Sequence, residues 1–439
     1  MRAHVAAPAP STDGTAARLV GWLSLAQLVG WGSVFYAFSM LMEPVERELG
    51  LGRSEVSLAF SLALLAEGLA AFAVGRWIDQ GHERRVMVAG STLAGACLLG
   101  LSQAHTATGW MLGWLGLGLA MAATLYTPVF AVLTRRFPYA FRRQIITVTF
   151  LGGLASTVFI PLMAWLLHTL GWRQMLWVLA ACQWLICLPI HAVALRRPGP
   201  HPVSAPSAAP HPPAPSHGQV LSGQVVAAHR PPPRHSHYRQ AMRQPAFVLV
   251  GVFVVLMMGV TVAVATHLVN LLGESGLPSR WAVLLPASIG LVQVVGRSLL
   301  YFFEHRASVH TVNRWIPALI PLGLLALLLG LATSTTLPAV AVLAAWMFVG
   351  LYGLGNGMLT IVKGTAIAQY VSREHAASLN GALGLPMALG RAAAPWLLGV
   401  LWSPQVGYRH GLWLLLGASL LAMAALALAQ RLAHPPPHG

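Results

Sequence analysis

Long apolar runs dominate the chain, and short clusters of Arg, Glu, Gly and Pro cut them at near-regular intervals. Twelve runs stand out, near 19–42, 54–76, 86–104, 108–134, 144–168, 172–195, 245–272, 279–303, 311–333, 337–363, 377–402 and 407–430. A helix rises 1.5 Å per residue, so about 20 apolar residues cross the ~30 Å hydrocarbon core of a bilayer. Between the sixth and seventh runs the pattern collapses. Residues 196–244 are packed with Pro, His, Ala and Ser, a composition that cannot bury a core and predicts a disordered linker. It divides the chain into six spans over 19–195 and six over 245–431, with polar tails at 1–18 and 432–439. The first tail is Ala/Pro-rich without an apolar centre, so it does not read as a cleaved signal peptide. The expected fold is an all-α membrane protein of twelve transmembrane helices in two pseudo-symmetric six-helix bundles.

Composition agrees and charge adds direction. Only 9% of residues are charged against 56% hydrophobic, and mean hydropathy is +0.67, where soluble domains carry about 25% charged residues. The net charge of +16 is spread over alternate loops. One set carries Arg76, Arg84 and Arg85, then Arg135, Arg136, Arg142 and Arg143, then six linker arginines from Arg196 to Arg243. The other carries only Arg47, Arg53, Arg173, Arg280 and Arg409, and its first member also holds Glu43, Glu46 and Glu48. Basic loops facing an anionic inner leaflet place both termini and the linker in the cytoplasm and the chain in the cell membrane, with no nucleic-acid partner. Cys97, Cys182 and Cys187 all fall in apolar runs and read as free thiols. The linker histidines at 201, 211, 217, 229, 235 and 237 are irregularly spaced, as in a solvated tract. No paired-cysteine metal site, nucleotide fingerprint, zinc-protease helix or nucleophilic triad spacing appears, so neither a cofactor nor an enzyme is expected.

The halves echo one another. Glu48–Val56 before span 2 resembles Glu274–Trp281 before span 8; Gly171, Trp172 and Arg173 resemble Gly407, Tyr408 and Arg409; Pro161 pairs with Pro395. A duplicated bundle with a site at the midplane is a transporter layout.

The loop between spans 2 and 3, GRWIDQGHERR at 75–85, resembles the signature loop of the major facilitator superfamily. It keeps Gly75, Asp79, Arg84 and Arg85, and departs at Gln80 and His82. The resemblance implies a two-bundle transporter in which these four residues gate the helices. The copy in the second half, Glu304, His305 and Arg306, is degenerate. The stretch from His267 through Arg297 is similar to the seventh and eighth helices of the monocarboxylate and oxalate–formate porters of that superfamily. The monocarboxylate porters set an Asp four residues before the span-8 Arg, where this chain has Gln293. They often use a span-1 Lys, yet no basic residue occurs between Arg18 and Arg47. A second basic residue in span 11 is matched by Arg391.

Charges inside spans are costly, at least ~2.5 kcal/mol for Arg, and they mark pathways. Arg297 in span 8 and Arg391 near the middle of span 11 are the prime candidates, since two guanidiniums on one cavity would grip carboxylates by forked hydrogen bonds. Snorkelling to the headgroups is the competing reading, easier for Arg297 than for Arg391. Glu67 in span 2 is the candidate for proton coupling, because burial disfavours carboxylate charge, or a salt-bridge partner of either arginine. Gln293, His267, Asn356, Tyr126 and Tyr36 complete the expected substrate-binding set. Lys363 reads as an interfacial lysine closing span 10, Trp31 as packing, and the glycines at 353, 355 and 357 as a flexible or closely packed helix. The function expected is secondary active transport of a small organic anion, a mono- or dicarboxylate, coupled to a proton or a counter-anion. An exporter of drugs or amphipathic compounds and a nontransporting membrane sensor are the alternatives.

Overall fold

A computed structural model describes residues 13–137, 141–196, 242–274, 277, 279–303, 309–334, 336–372 and 376–433. Most of the linker, the outermost tails and the degenerate copy at Glu304–Arg306 lie outside them. The described residues are almost wholly helical, and their only bridge joins Ser403 and Gly407.

Eleven runs are long and apolar enough to cross a membrane. One of them, Arg53–Ser102, has 50 residues, about twice what a bilayer accommodates. It turns at Gly81, whose φ of 89° is open to glycine and strained for other residues. Both of its arms pack along the fourth span, so the chain doubles back and the described residues hold twelve crossings. In chain order they are α1 (Ala17–Leu49), α2 (Arg53–Trp77), α3 (Glu83–Ser102), α4 (Ala107–Arg136), α5 (Arg143–Leu170) and α6 (Trp172–Ala194). The second bundle holds α7 (Pro245–Gly273), α8 (Ser279–Phe303), α9 (Val309–Thr333), α10 (Pro338–Tyr370), α11 (Leu379–Val400) and α12 (Arg409–Ala433).

Each bundle has its own buried apolar core. One is built around Phe38, Phe60, Trp110 and Trp114, the other around Phe253, Phe348, Tyr352 and Leu412. The bundles meet along three helix pairs, α2 with α11, α5 with α8, and α1 with α7. Glycines permit the close crossings. A Cβ at Gly118 of α4 would strike the backbone of Ala63 in α2, and one at Gly290 of α8 would stand 2.7 Å from Gly153 O in α5. Gly353, Gly355 and Gly357 of α10 pack in the same way, and the helix stays unbroken from Pro338 to Tyr370. A Cβ at Gly357 would come within 2.8 Å of the Gln293 Cα. Of the two expectations for these three glycines, a closely packed helix is the one observed.

Backbone irregularities occur in both bundles, as at Leu383 of α11, and two of them in the first bundle lie near the interface. α1 carries a π turn at Trp31–Phe35, and α4 breaks at Leu125, where ψ is −156°. Gln27 of α1 ties these together by donating to Thr124 O at 2.7 Å.

Candidate functional site: a cationic cavity between the bundles

The cavity between the bundles encloses about 260 Å³. It brings together seven of the eight residues expected to bind substrate or carry a proton: Arg297, Arg391, Gln293, Asn356, Tyr126, Tyr36 and Glu67. It also adds two that the sequence reading placed elsewhere, Lys363 and Trp31. Lys363 is not an interfacial lysine. Its helix continues two turns beyond it, which draws the ammonium into the cavity wall, where Nζ lies 2.8 Å from Met258 Sδ.

All three cations come from the second bundle, and their partners differ. Arg391 Nη2 donates to Glu67 Oε2 at 2.8 Å, an ion pair that crosses from α11 to α2 with both side chains largely buried. Its Nε is buried without an acceptor among the described residues. Arg297 has no carboxylate partner among them. It donates to Gly357 O at 3.2 Å and to Thr149 O at 2.5 Å, so it reaches across to α5 through backbone carbonyls. Lys363 forms no salt bridge among the described residues either. Three basic side chains against one carboxylate give the cavity lining a formal charge of +2. Buried charge needs compensation.

His267 lies outside this cavity. It is fully buried at one end of the bundle, with Nδ1 3.0 Å from Tyr408 Oη and Nε2 3.0 Å from Pro395 O. There it backs a plug that joins the two bundles. Arg53 is bidentate to Glu46 at 2.7 and 2.8 Å, donates to Tyr408 Oη at 2.9 Å, and pairs with Glu274 across the interface. Its guanidinium lies 4.2 Å above the Trp402 ring, whose Nε1 donates to Glu274 at 2.7 Å.

The opposite end carries the basic loops. Of the four residues of the signature loop, Arg84 donates to Ala192 O at 2.9 Å, while Asp79 and Arg85 are exposed and form no ion pair among the described residues. A Cβ at Gly75 would meet open space. The loop's organising charge is Glu83, which the sequence reading passed over. It is 3% exposed and pairs with Arg135 at 2.7 Å and Arg136 at 2.8 Å, both at the end of α4.

The major facilitator superfamily model matches residues 23–361, most of both bundles. The chain belongs to the Major Facilitator Superfamily. Solved structures of that architecture superpose over nearly the whole chain. A bacterial homolog of the human lysosomal transporter Spinster, in an inward-facing and occupied conformation, gives a TM-score of 0.69 at 15% identity, covering 98% of this chain and 100% of that one. The nucleoside transporter NupG gives 0.65 at 13% identity, covering 95% and 99%. Such identities establish the fold alone. No curated protein sequence matches the chain significantly. The superfamily fold is that of a secondary transporter, which carries a small molecule through a membrane by alternating access of a central cavity.

Proposed function

We propose that this superfamily member carries a small organic anion, a carboxylate, with the basic end of the bundle facing the cytoplasm of the cell that holds it. The observation that carries the reading is the cation surplus: Arg297, Lys363 and Arg391 share one cavity with a single acid. Arg297 and Lys363 form the primary dock, because neither pairs with a carboxylate among the described residues. Arg391 is the contested group. A substrate carboxylate that draws it from Glu67 leaves that acid without its counter-charge and ready to bind the coupled proton, and exchange against a second anion is the other way to close the cycle. The resemblance to monocarboxylate and oxalate–formate porters is consistent with this arrangement in its two arginines, on α8 and α11. It departs in using Gln293 where the former have an acid. With the far end plugged by Arg53 and Glu274, the arrangement is the one expected of an inward-facing carrier, the state named for the Spinster homolog it superposes on.

Uptake of radiolabelled carboxylates into proteoliposomes tests the reading. Arg297→Gln and Lys363→Gln should each lower uptake at least tenfold, the loss expected when a charge-assisted hydrogen bond of about 1.5–3 kcal/mol goes. Undiminished uptake in both variants would remove the docking idea. The aromatic wall near Glu67 supports a second reading, export of amphipathic cations, in which the arginines are dispensable and cations are the labelled species that moves.

A further inference from the structure

The two walls of the cavity differ in chemistry. The second bundle supplies the cations and the amides of Gln293 and Asn356, while the first supplies rings: Trp31, Phe35, Tyr36 and Tyr126. We infer that the substrate is a single-ring aromatic carboxylate, its acid group held by the second bundle and its ring by Trp31 and Tyr126 of the first. The inference rests on the anion reading above and narrows it.

Three observations carry it. The rings are presented by irregular backbone. The π turn of α1 begins at Trp31, and Tyr126 is the first residue after the break in α4. A π turn shifts the facing of a helix and recurs at functional sites. Here two such departures from ideal helix face one cavity and are bonded through Gln27. The rings also form one continuous wall. Trp31 and Tyr126 have centroids 4.8 Å apart at 42°, and Trp31 and Phe35 4.9 Å apart at 56°, in direct contact, so a substrate ring would lie against this wall rather than between its members. Volume is the third. A space of 260 Å³ lies near the lower end of the ~300–1,000 Å³ range of small-molecule pockets, a size for a compact ligand. A ring bearing a carboxylate offers one group to each wall, its acid to the cations and its ring to the aromatic side chains.

Competition against radiolabelled benzoate in proteoliposomes decides the point. Unlabelled 4-hydroxybenzoate and phenylacetate should compete at least tenfold better than acetate, oxalate or cyclohexanecarboxylate. Trp31→Leu should weaken benzoate roughly tenfold and leave acetate competition unchanged, while Trp31→Phe, which keeps a ring and controls for folding, should retain most of the benzoate affinity. Equal competition by acetate and benzoate, or by cyclohexanecarboxylate and benzoate, overturns the aromatic inference and leaves the anion reading intact. Uptake of no carboxylate at all, or of tetraphenylphosphonium instead, overturns both.

Discussion

The plug at the far end offers the sharpest test of how the two bundles are held. Among the described residues, Arg53–Glu274 is the ion pair that crosses the interface there, and Arg53 is otherwise satisfied within its own bundle by Glu46. Replacing Glu274 by Gln keeps the side-chain shape and an acceptor for Trp402 but removes the charge. The side chain of Arg53 is 6% exposed and that of Glu274 is 34% exposed. The loss therefore falls between the ~1 kcal/mol of a surface pair and the ~3–5 kcal/mol of a fully buried one. About 2 kcal/mol taken from the closed arrangement shifts the opening equilibrium roughly 30-fold. Ser57 reports on it, since it is fully buried on α2 with Oγ 3.5 Å from His267 Nε2. In a background lacking Cys97, Cys182 and Cys187, a Ser57→Cys variant labelled by an impermeant maleimide should react about 10- to 30-fold faster when Glu274→Gln is added. Glu48→Gln is the control. Glu48 sits at the same end and pairs with Arg173 at 2.8 Å, but both belong to the first bundle, so labelling should not change. If Glu274→Gln and Glu48→Gln label alike, the plug does not hold the bundles together.

Other consequences are as direct. Glu83→Gln strands Arg135 and Arg136 at the basic end and should cost about 3–5 kcal/mol, read as a clear fall in Tm of the detergent-solubilised protein. Asp79→Asn, on an exposed side chain without an ion pair among the described residues, should stay within about 0.5 kcal/mol of the parent. Arg391→Gln leaves Glu67 buried and alone, so the double variant with Glu67→Gln should be more stable than Arg391→Gln itself; a double variant less stable than the single one would mean the pair is not coupled. Deleting residues 200–235, a tract of Pro, His, Ala and Ser, should leave proteoliposome uptake intact if the linker is a tether, whereas a sensor that signals through the linker would lose its function.

The spans were legible because lipid imposes one rule on every exposed position. A run of about 20 apolar residues is sufficient evidence of a crossing, and observed ends fall close to those expected for most helices, as with Pro245–Gly273 against 245–272. Arg297, Arg391 and Glu67 were legible for the complementary reason: a charge in the middle of such a run has nowhere to go but inward, and all three line the cavity. Lys363 was misplaced because the apolar run ends near it and the helix does not. The continuation is amphipathic, with Ala366, Ile367 and Tyr370 buried between polar Thr365 and Gln369. That i, i+1, i+4 spacing was the available signal.

Charges at helix ends resisted reading for a different reason. Glu83 stands among Asp79, His82, Arg84 and Arg85 and looks no different from them along the chain. It is buried because α4 ends with two arginines at the same level, about 50 residues away. Arg53 looked like one charge of an acidic loop, yet its carboxylates come from residue 46 and from residue 274 in the other bundle. His267, on a helix expected to line the pathway, was diverted to the plug by Tyr408 and Pro395. Desolvation acts on a residue by its depth, which the apolar runs around it report. Pairing acts between helices, and the α3–α4 crossing that brings Glu83 to Arg135 and Arg136 is packed through Gly90, where a Cβ would stand 2.6 Å from the Ala123 Cβ. Residues whose role follows from depth could therefore be placed from sequence. Those whose role follows from a partner could not, and in this chain they are the ones that latch its two ends.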